Sequence, residues 1–294
     1  MSIGSGTPKL AGLKYQVVQP LGTGAGSTIL LIRDQATGKQ FALKVVKRQG
    51  ADDDIYVQQA LHEFEVAQRF NHPGLLKIHD HRTRRKWLKL TGVELLMEYV
   101  DGRILDDLKD PPLGQWVLIF RKIADALDYM HRRGIYHGDL KPMNIMLARD
   151  AAVKILDFGT AWIKGQPKDR VQGTPQYMAP EQATEKVVDE RTDLYNFGAT
   201  MYRLVTKQYA NLGIPAVGDG GLSKKLRPSP PFELVPGIPK ALNNAIMACL
   251  HPRPEKRPDG VAEVKLQLDA VARDLGLDED DLKGSEELAG SSRG

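Results

Sequence analysis

Eight consecutive residues decide how this chain is interpreted: His137-Gly138-Asp139-Leu140-Lys141-Pro142-Met143-Asn144. They bring an imidazole, a carboxylate, an ammonium and an amide into one short stretch. Thirteen residues after Asn144 comes Asp157-Phe158-Gly159, directly after the β-rich run 153–156. A carboxylate at the end of a strand, followed by glycine, is well placed to bind a metal ion through oxygen.

These residue types predict phosphoryl-transfer chemistry. Asn144 and Asp157 are predicted to hold Mg²⁺ through oxygen ligands, with the phosphates of ATP completing the coordination shell. Asp139 then remains free to accept a proton from an attacking hydroxyl group. Lys141 is placed to stabilise the charge on the moving phosphoryl group.

The composition is that of an ordinary folded protein in a reducing compartment. The chain has 294 residues, 41 Lys and Arg against 37 Asp and Glu, and a single cysteine, Cys249. One cysteine excludes a disulfide framework and a Cys-cluster zinc site, and its apolar neighbours predict a buried thiol. No apolar run is long enough to span a membrane, and residues 1–12 lack a secretory apolar core. We therefore expect a cytoplasmic protein with no membrane segment.

The first third of the chain predicts strands and one helix. Two β-rich runs flank the glycine cluster 21–26, and a third strand is predicted over Gln40–Val46. The acidic run Asp52–Asp54 favours a helix start, with the helix ending near Phe70. Further strands are predicted over 75–79 and 94–100.

From Asp101 onward the apolar period is helical. Helices are predicted over 113–130, 193–206, 240–250 and 261–275, with short strands at 144–147 and 153–156. The stretch 214–239, rich in proline and glycine, is predicted to be irregular and exposed. The tail 275–294 carries six acids, two bases and few apolar residues, which predicts disorder.

Lys44 and the glycine cluster are ambiguous when taken alone. Glycines let backbone N–H groups approach phosphates, but a plain hairpin turn also uses them. Lys44 lies in the middle of a predicted strand, where it either serves a site or points from an edge strand into water. Glu63, on the predicted helix, is a possible partner for Lys44, and a solvated helix acid is the alternative.

The ordered set of motifs over about residues 15–275 resembles the eukaryotic-type (Hanks-type) serine/threonine protein kinase family, in the style of a bacterial member. Leu21-Gly22-Thr23-Gly24 resembles the glycine-rich loop, Ala42-Leu43-Lys44 the β3 lysine motif, and Glu63 its partner on helix αC. Residues 137–144 resemble the catalytic loop and 157–159 the metal-binding motif. Further matches are the Ala-Pro-Glu segment 173–181, the helix motif 193–198 and the late segment 251–258.

The resemblance implies an α+β, bilobal protein kinase fold, with a β-rich N-lobe carrying helix αC and a mainly helical C-lobe. It divides the chain into an N-terminal segment 1–14, an N-lobe 15–100, a C-lobe 101–274 and the acidic tail 275–294. It also implies that Arg257 pairs with Glu181, and that Thr174 bonds Asp139 and Lys141.

Residue roles follow from the same resemblance. Asp139, Lys141, Lys44 and Glu63 would be catalytic, Asn144 and Asp157 would bind Mg²⁺, and Lys44 would hold the α- and β-phosphates of ATP. The residues implied to contact ATP are Leu21, Gly22, Thr23, Gly24, Ala25, Gly26, Ser27, Ile29, Ala42, Lys44, Met97, Glu98, Val100 and Met146. The implied partner is a protein with a Ser or Thr acceptor.

Four positions depart from the family pattern. Ser27 stands at the third loop glycine, with Gly26 one place early, and Gly138 replaces the arginine usual before the catalytic aspartate. Residues 162–173 contain no Ser, Thr or Tyr. Ala67 stands where a larger apolar residue is usual, which predicts a loosely held helix αC. Since the missing arginine is the usual partner of an activation-loop phosphate, Gly138 and the hydroxyl-free segment together predict a kinase that needs no such phosphate.

Two other functions remain open at this stage. The departures at Ser27, Ala67 and Gly138 would also fit a pseudokinase scaffold. The His-Gly-Asp sequence resembles the catalytic loop of aminoglycoside kinases, which are small-molecule phosphotransferases, although that family lacks the segment 173–181. The basic stretch 81–87 is predicted to be a solvated turn, and nucleic acid binding is not favoured, since a single aromatic residue lies among the bases.

Overall fold

Lys44 lies on an antiparallel sheet of five strands in the computed structural model, which describes residues 8–24, 26–48, 50, 53–86, 89–166, 171–184, 188–210 and 228–286. The chain divides into two units. Unit 1 comprises the described residues up to Asn71, Leu75–Asp101 and Asp157–Gly159. Unit 2 comprises His72–Gly74, Gly102–Leu156 and the described residues from Thr160 onward.

Unit 1 is the five-stranded sheet with one helix against it. Its strands are ordered β1-β2-β3-β5-β4. The elements are β1 Tyr15–Gly24, β2 Ser27–Asp34, β3 Gln40–Lys47, α1 Asp54–Ala67, β4 Ile78–Lys86 and β5 Lys89–Glu98. The side of α1 that carries Val57, Ala60 and Glu63 is buried. This helix ends three residues earlier than the sequence predicted.

The basic stretch of unit 1 lies on strand β4 as far as Lys86 and not in the turn that the sequence predicted, although residues 83–86 are exposed as expected. Arg82 lies on β4 directly opposite Glu94 on β5. Arg82 Nε donates to Glu94 Oε2 at 2.8 Å and Arg84 Nε to Oε1 at 2.6 Å. The Glu94 side chain is almost fully buried. The physical reason is charge compensation, because a buried carboxylate needs counter-charges and the neighbouring strand supplies two.

Unit 2 is built on long helices, with short strands at their ends. Its elements are β6 Gly102–Ile104, α2 Leu113–His131, β7 Ile135–Tyr136, β8 Ile145–Ala148, β9 Val153–Ile155, β10 Trp162–Ile163, α3 Pro180–Thr184, α4 Glu190–Thr206, α5 Pro231–Leu234, α6 Lys240–Cys249 and α7 Val261–Asp274. The four long helices that the sequence predicted here are confirmed to within three residues. Phe120, Ile123 and Leu127 of α2 are fully buried, so α2 forms the centre of this unit.

Part of the acidic tail is ordered against α2, where the sequence predicted disorder. Residues Glu279–Glu286 form a 3-10 helix, and Leu282 is fully buried. Leu277 lies so close to Gly114 that a side chain on that glycine would come within 2.9 Å of it. Lys122 Nζ binds Glu279 at 3.2 Å. Two leucines and a counter-charge anchor this segment, and residues 287–294 lie outside the described part of the chain.

Candidate active site

The first group of predicted site residues lies in unit 1 around Lys44. Lys44 on β3 donates from Nζ to Oε2 of Glu63 on α1 at 2.6 Å. Asp157 Oδ1 lies 3.9 Å from the same Nζ. The Glu63 side chain is 2% exposed, so the alternative of a solvated helix acid is wrong. The side chain of Lys44 is enclosed as well, so it does not point into water.

Charge on Lys44 is stabilised by its neighbours. Burial acts to lower the pKa of Lys44, but attraction to Glu63 and Asp157 and the hydrogen bond to Glu63 outweigh it and raise the pKa. Burial raises the pKa of Glu63, and the Lys44 ammonium opposes that rise. Each charge of the pair therefore depends on the other.

The glycine-rich segment is the β1–β2 hairpin of unit 1. Gly22 pairs with Ile29 and Gly24 with Ser27. A side chain added at Gly22 would meet nothing within 4 Å, so the backbone there is open to a ligand. Gly26 has φ +68°, and a side chain there would come within 2.5 Å of the Tyr56 ring. Ala25, also predicted to bind nucleotide, lies outside the described residues.

The other residues predicted to contact ATP are divided between the two units. In unit 1, Leu21 is 41% exposed, whereas Ala42 and Met97 are buried and face each other across β3 and β5. Glu98 ends β5, and its Oε1 accepts a hydrogen bond from Lys77 N at 2.7 Å. Thr23 is exposed. Four further residues are half-buried: Ser27, Ile29, Val100 and Met146, the last on β8 of unit 2.

The second group lies in unit 2 around Asp139. Lys141 Nζ donates to Asp139 Oδ2 at 2.7 Å and to Thr174 Oγ1 at 2.6 Å. The backbone N–H of Thr174 donates to Asp139 Oδ1 at 2.7 Å. The implied bonds among these three residues are therefore present, although Thr174 reaches Asp139 through its backbone. Asp139 is 8% exposed, so these bonds hold a carboxylate that is largely buried.

Asn144 and Asp157 each fit the oxygen chemistry of a divalent cation. Asn144 Nδ2 donates to the carbonyl oxygen of Asp139 at 2.9 Å, which leaves Oδ1 as the atom for a cation. Asp157 has φ +60°, and its side chain is 49% exposed. Carboxylate and amide oxygens are ligands that Mg²⁺ accepts, together with water and phosphate oxygens.

Asp193 on α4 is a supporting residue whose role the sequence did not reveal. Its Oδ2 accepts from His137 N at 2.7 Å, and its Oδ1 accepts from Gly138 N at 2.8 Å. His131 Nε2 lies 2.9 Å from Oδ2. Burial would raise the pKa of this carboxyl, but the hydrogen bond and attraction of His131, with the Gly138 N–H, lower it overall. The sequence signal was its place in the helix motif 193–198, which did not indicate the groups that the carboxylate binds.

The Ala-Pro-Glu segment 173–181, which the resemblance makes the end of the activation segment, is tied to the core of unit 2. Arg257 Nη1 donates to Glu181 Oε1 at 2.7 Å, and Nη2 donates to Oε2 at 2.8 Å. The arginine side chain is 0% exposed and that of the glutamate 8%. The implied ion pair is therefore confirmed, and it is bidentate.

The lysine–glutamate pair in unit 1 and the aspartate–lysine–threonine cluster in unit 2 are two of the groups that the resemblance to protein kinases implied. The family model described as protein kinase domain matches residues 15–266, and the chain belongs to that family. The expected α+β protein kinase fold is confirmed.

Its relatives are bacterial serine/threonine kinases. It is 33% identical over 245 residues to "Probable serine/threonine-protein kinase PknB" of Bifidobacterium longum, covering 79% of this chain and 36% of the relative. It is 31% identical over 272 residues to PknB of Mycobacterium leprae, covering 89% and 43%. It is 30% identical to "Probable serine/threonine-protein kinase SCO3848" of Streptomyces coelicolor, covering 90% and 40%. The chain spans less than half the length of these relatives, and the similarity is of a bacterial type.

One further expectation concerned membranes. Within the described ranges, no helix combines the length and the apolar character that crossing a bilayer requires.

Proposed function

We propose that this kinase domain transfers the γ-phosphoryl group of ATP to Ser or Thr hydroxyls of protein substrates. The observation that carries the proposal is the Asp139 carboxylate, held by Lys141 and by the backbone of Thr174. A general base needs a fixed position, and these two hydrogen bonds support that role for Asp139.

The chain's own residues have separable tasks in this reaction. Asp139 accepts the proton of the acceptor hydroxyl while the oxygen of that hydroxyl forms its bond to the γ-phosphorus. Lys141, 2.7 Å from Asp139, offsets negative charge as the bond to the leaving phosphate breaks. Lys44, held by Glu63, binds the α- and β-phosphates, and the open backbone at Gly22 admits them.

The cofactors of this proposal are ATP and Mg²⁺. Asn144 and Asp157 would hold the cation, which neutralises phosphate charge when it is bound. The adenine would contact the predicted residues on β1, β2, β3, β5 and β8. A Ser/Thr protein is the partner and the cytoplasm the setting, whereas binding of nucleic acid is not proposed.

We further propose that the activity needs no phosphate on the activation segment. Two observations support this. Gly138 supplies no cation beside Asp139, and residues 161–173 contain no Ser, Thr or Tyr. Thr174, the next hydroxyl, already binds Lys141.

The test compares Asp139→Asn with the wild type on casein, on myelin basic protein and on small hydroxylated compounds. We expect ATP binding to persist and protein phosphorylation to fall by about 10²–10⁴-fold, since a general base is lost. Asp150→Asn, an exposed residue after β8, is the matched control. Turnover by Asp139→Asn at the wild-type rate would overturn the assignment. If the wild type shows no turnover, the pseudokinase scaffold is favoured. If it phosphorylates only the small compounds, the small-molecule phosphotransferase of the aminoglycoside-kinase type is favoured.

Phosphate independence is tested on wild-type protein co-expressed with a phosphatase and confirmed by mass spectrometry to be unphosphorylated. We expect its initial rate to match that of the autophosphorylated form. A lag phase, or a rate more than about tenfold lower, equivalent to about 1.4 kcal/mol of barrier, would contradict the proposal.

A further inference from the structure

Gln182 on α3 is a fully buried amide that joins two segments of the proposed site. Its Nε2 donates to the carbonyl oxygen of Gly138 at 2.6 Å and to that of Gln172 at 2.7 Å. Its Oε1 accepts from Ala179 N and from Asn196 Nδ2, both at 3.4 Å. Both donors of the amide are therefore used, and each reaches a different segment of chain.

Gly173 leaves the space that the amide occupies, and Gly138, whose carbonyl the amide binds, is itself closely packed. Gly173 has φ +129°, and a side chain there would come within 2.8 Å of Gln182 Nε2. Gly138 has φ +72°, and a side chain there would lie 3.2 Å from the carbonyl oxygen of Thr160. Any larger residue at position 173 would be strained and would displace the amide.

The segments joined by Gln182 are those that present the proposed general base. Gly138 directly precedes Asp139, and Gln172 lies two residues before Thr174. The N–H of Thr174 donates to Asp139 Oδ1 at 2.7 Å. The carboxamide thus closes a ring of hydrogen bonds that runs through the catalytic loop and the activation segment, and it fixes one against the other.

We propose that Gln182 is a positioning residue that holds residues 172–174 against the catalytic loop in place of an activation-segment phosphate. The proposal rests on the proposed kinase function. A neutral amide can hold these segments together at any pH, because it has no proton to gain or lose, and it needs no enzyme to modify it. Its two N–H groups bind backbone carbonyls, which every sequence supplies, so the link needs no arginine at position 138.

Gln182→Met tests the proposal, because methionine keeps the length of the side chain and removes both donors. We expect kcat with a protein substrate to fall about 10–100-fold, as two hydrogen bonds to the site are lost. KM for ATP should stay unchanged, because the Lys44 group lies in unit 1 and makes no use of Gln182. Gln267→Met, the same change at a half-buried position on α7 away from the proposed site, is the control.

Hydrogen exchange gives a second readout that needs no kinase activity. In Gln182→Met, the amides of residues 171–174 should exchange at least about tenfold faster, while those in the centre of α2 stay protected. Faster exchange throughout the protein would show that Gln182 only supports the fold, and it would overturn the proposal. Unchanged exchange together with unchanged kcat would also overturn it. If the wild type proves inactive, the kinase function fails, and the exchange result still decides whether Gln182 holds the segment.

Gln182→Glu provides a variant of nearly the same shape in case Gln182→Met does not fold. The ionised side chain has no donor, whereas the protonated acid regains one O–H. Because position 182 is fully buried, burial should raise the pKa of this carboxyl, and the activity relative to the wild type should therefore rise as the pH is lowered. A constant ratio of the two activities as the pH is lowered would contradict the role of the donors.

Discussion

Removal of Arg257 is the sharpest test of how the activation segment is anchored. Its guanidinium makes two bonds to Glu181, and it also donates to the carbonyls of Arg191 at 2.6 Å and His251 at 2.8 Å. In Arg257→Ala, the Glu181 carboxylate stays buried and loses its counter-charge. Breaking a buried ion pair on one side costs about 3–5 kcal/mol.

The expected effect is large enough for a simple assay. At about 2–4 °C per kcal/mol for a domain of this size, thermal unfolding followed by circular dichroism should shift down by about 6–20 °C. The shift should persist near 1 M salt, where exposed charges are screened within about 3 Å. Arg85→Ala on β4 is the control, because Arg85 is exposed while Arg82 and Arg84 hold Glu94. Equal melting temperatures for Arg257→Ala and Arg85→Ala would refute the reasoning.

Two further predictions concern charges in unit 1. Lys44→Met should weaken ATP binding, measured by calorimetry, because the phosphates lose their cation and Glu63 loses its partner. Lys47→Met, on the same strand, is the control. Equal ATP affinities of the two variants would contradict the role of Lys44. His79 should make stability depend on pH: burial, with Lys77 and Lys39, lowers its pKa from 6.5 to about 4. An unfolded chain therefore binds a proton that the folded protein does not, so the free energy of unfolding should fall as the pH drops from 6.5 toward 4. Urea unfolding should show a weaker fall in His79→Asn, and identical slopes would count against this explanation.

The sequence was sufficient for features that rest on short motifs. Lys44, Asp139 and Asp157 each lie in a motif of one family, so the resemblance implied their surroundings where the residues alone left Lys44 ambiguous. The Glu181–Arg257 pair was predictable for the same reason, because both residues belong to motifs of that family. Helices such as Leu113–His131 followed from their apolar period.

Features that depend on contacts between distant segments could not be predicted. Gln182 is an unremarkable residue in the sequence, and only the fold brings its amide to Gly138 and Gln172. The bases at 82 and 84 were assigned to a turn, because their buried partner Glu94 lies on the next strand. The acidic tail was assigned to disorder, because Leu277 and Leu282 gave no sign of the surface on α2 that they cover.

Leu10 anchors the segment that precedes β1 to the sheet of unit 1. Its side chain is fully buried among Ile32, Phe41, Leu43 and Leu96, and its N–H donates to Asp80 Oδ2 at 2.6 Å. A trimmed protein that starts at Tyr15, where the family match begins, would leave this apolar face of the sheet bare. Bare apolar patches make proteins self-associate, so such a fragment should be less soluble although it keeps every residue of the proposed site. For this kinase domain, a fragment that contains every residue of the proposed site is therefore shorter than a fragment that covers the apolar face of its sheet.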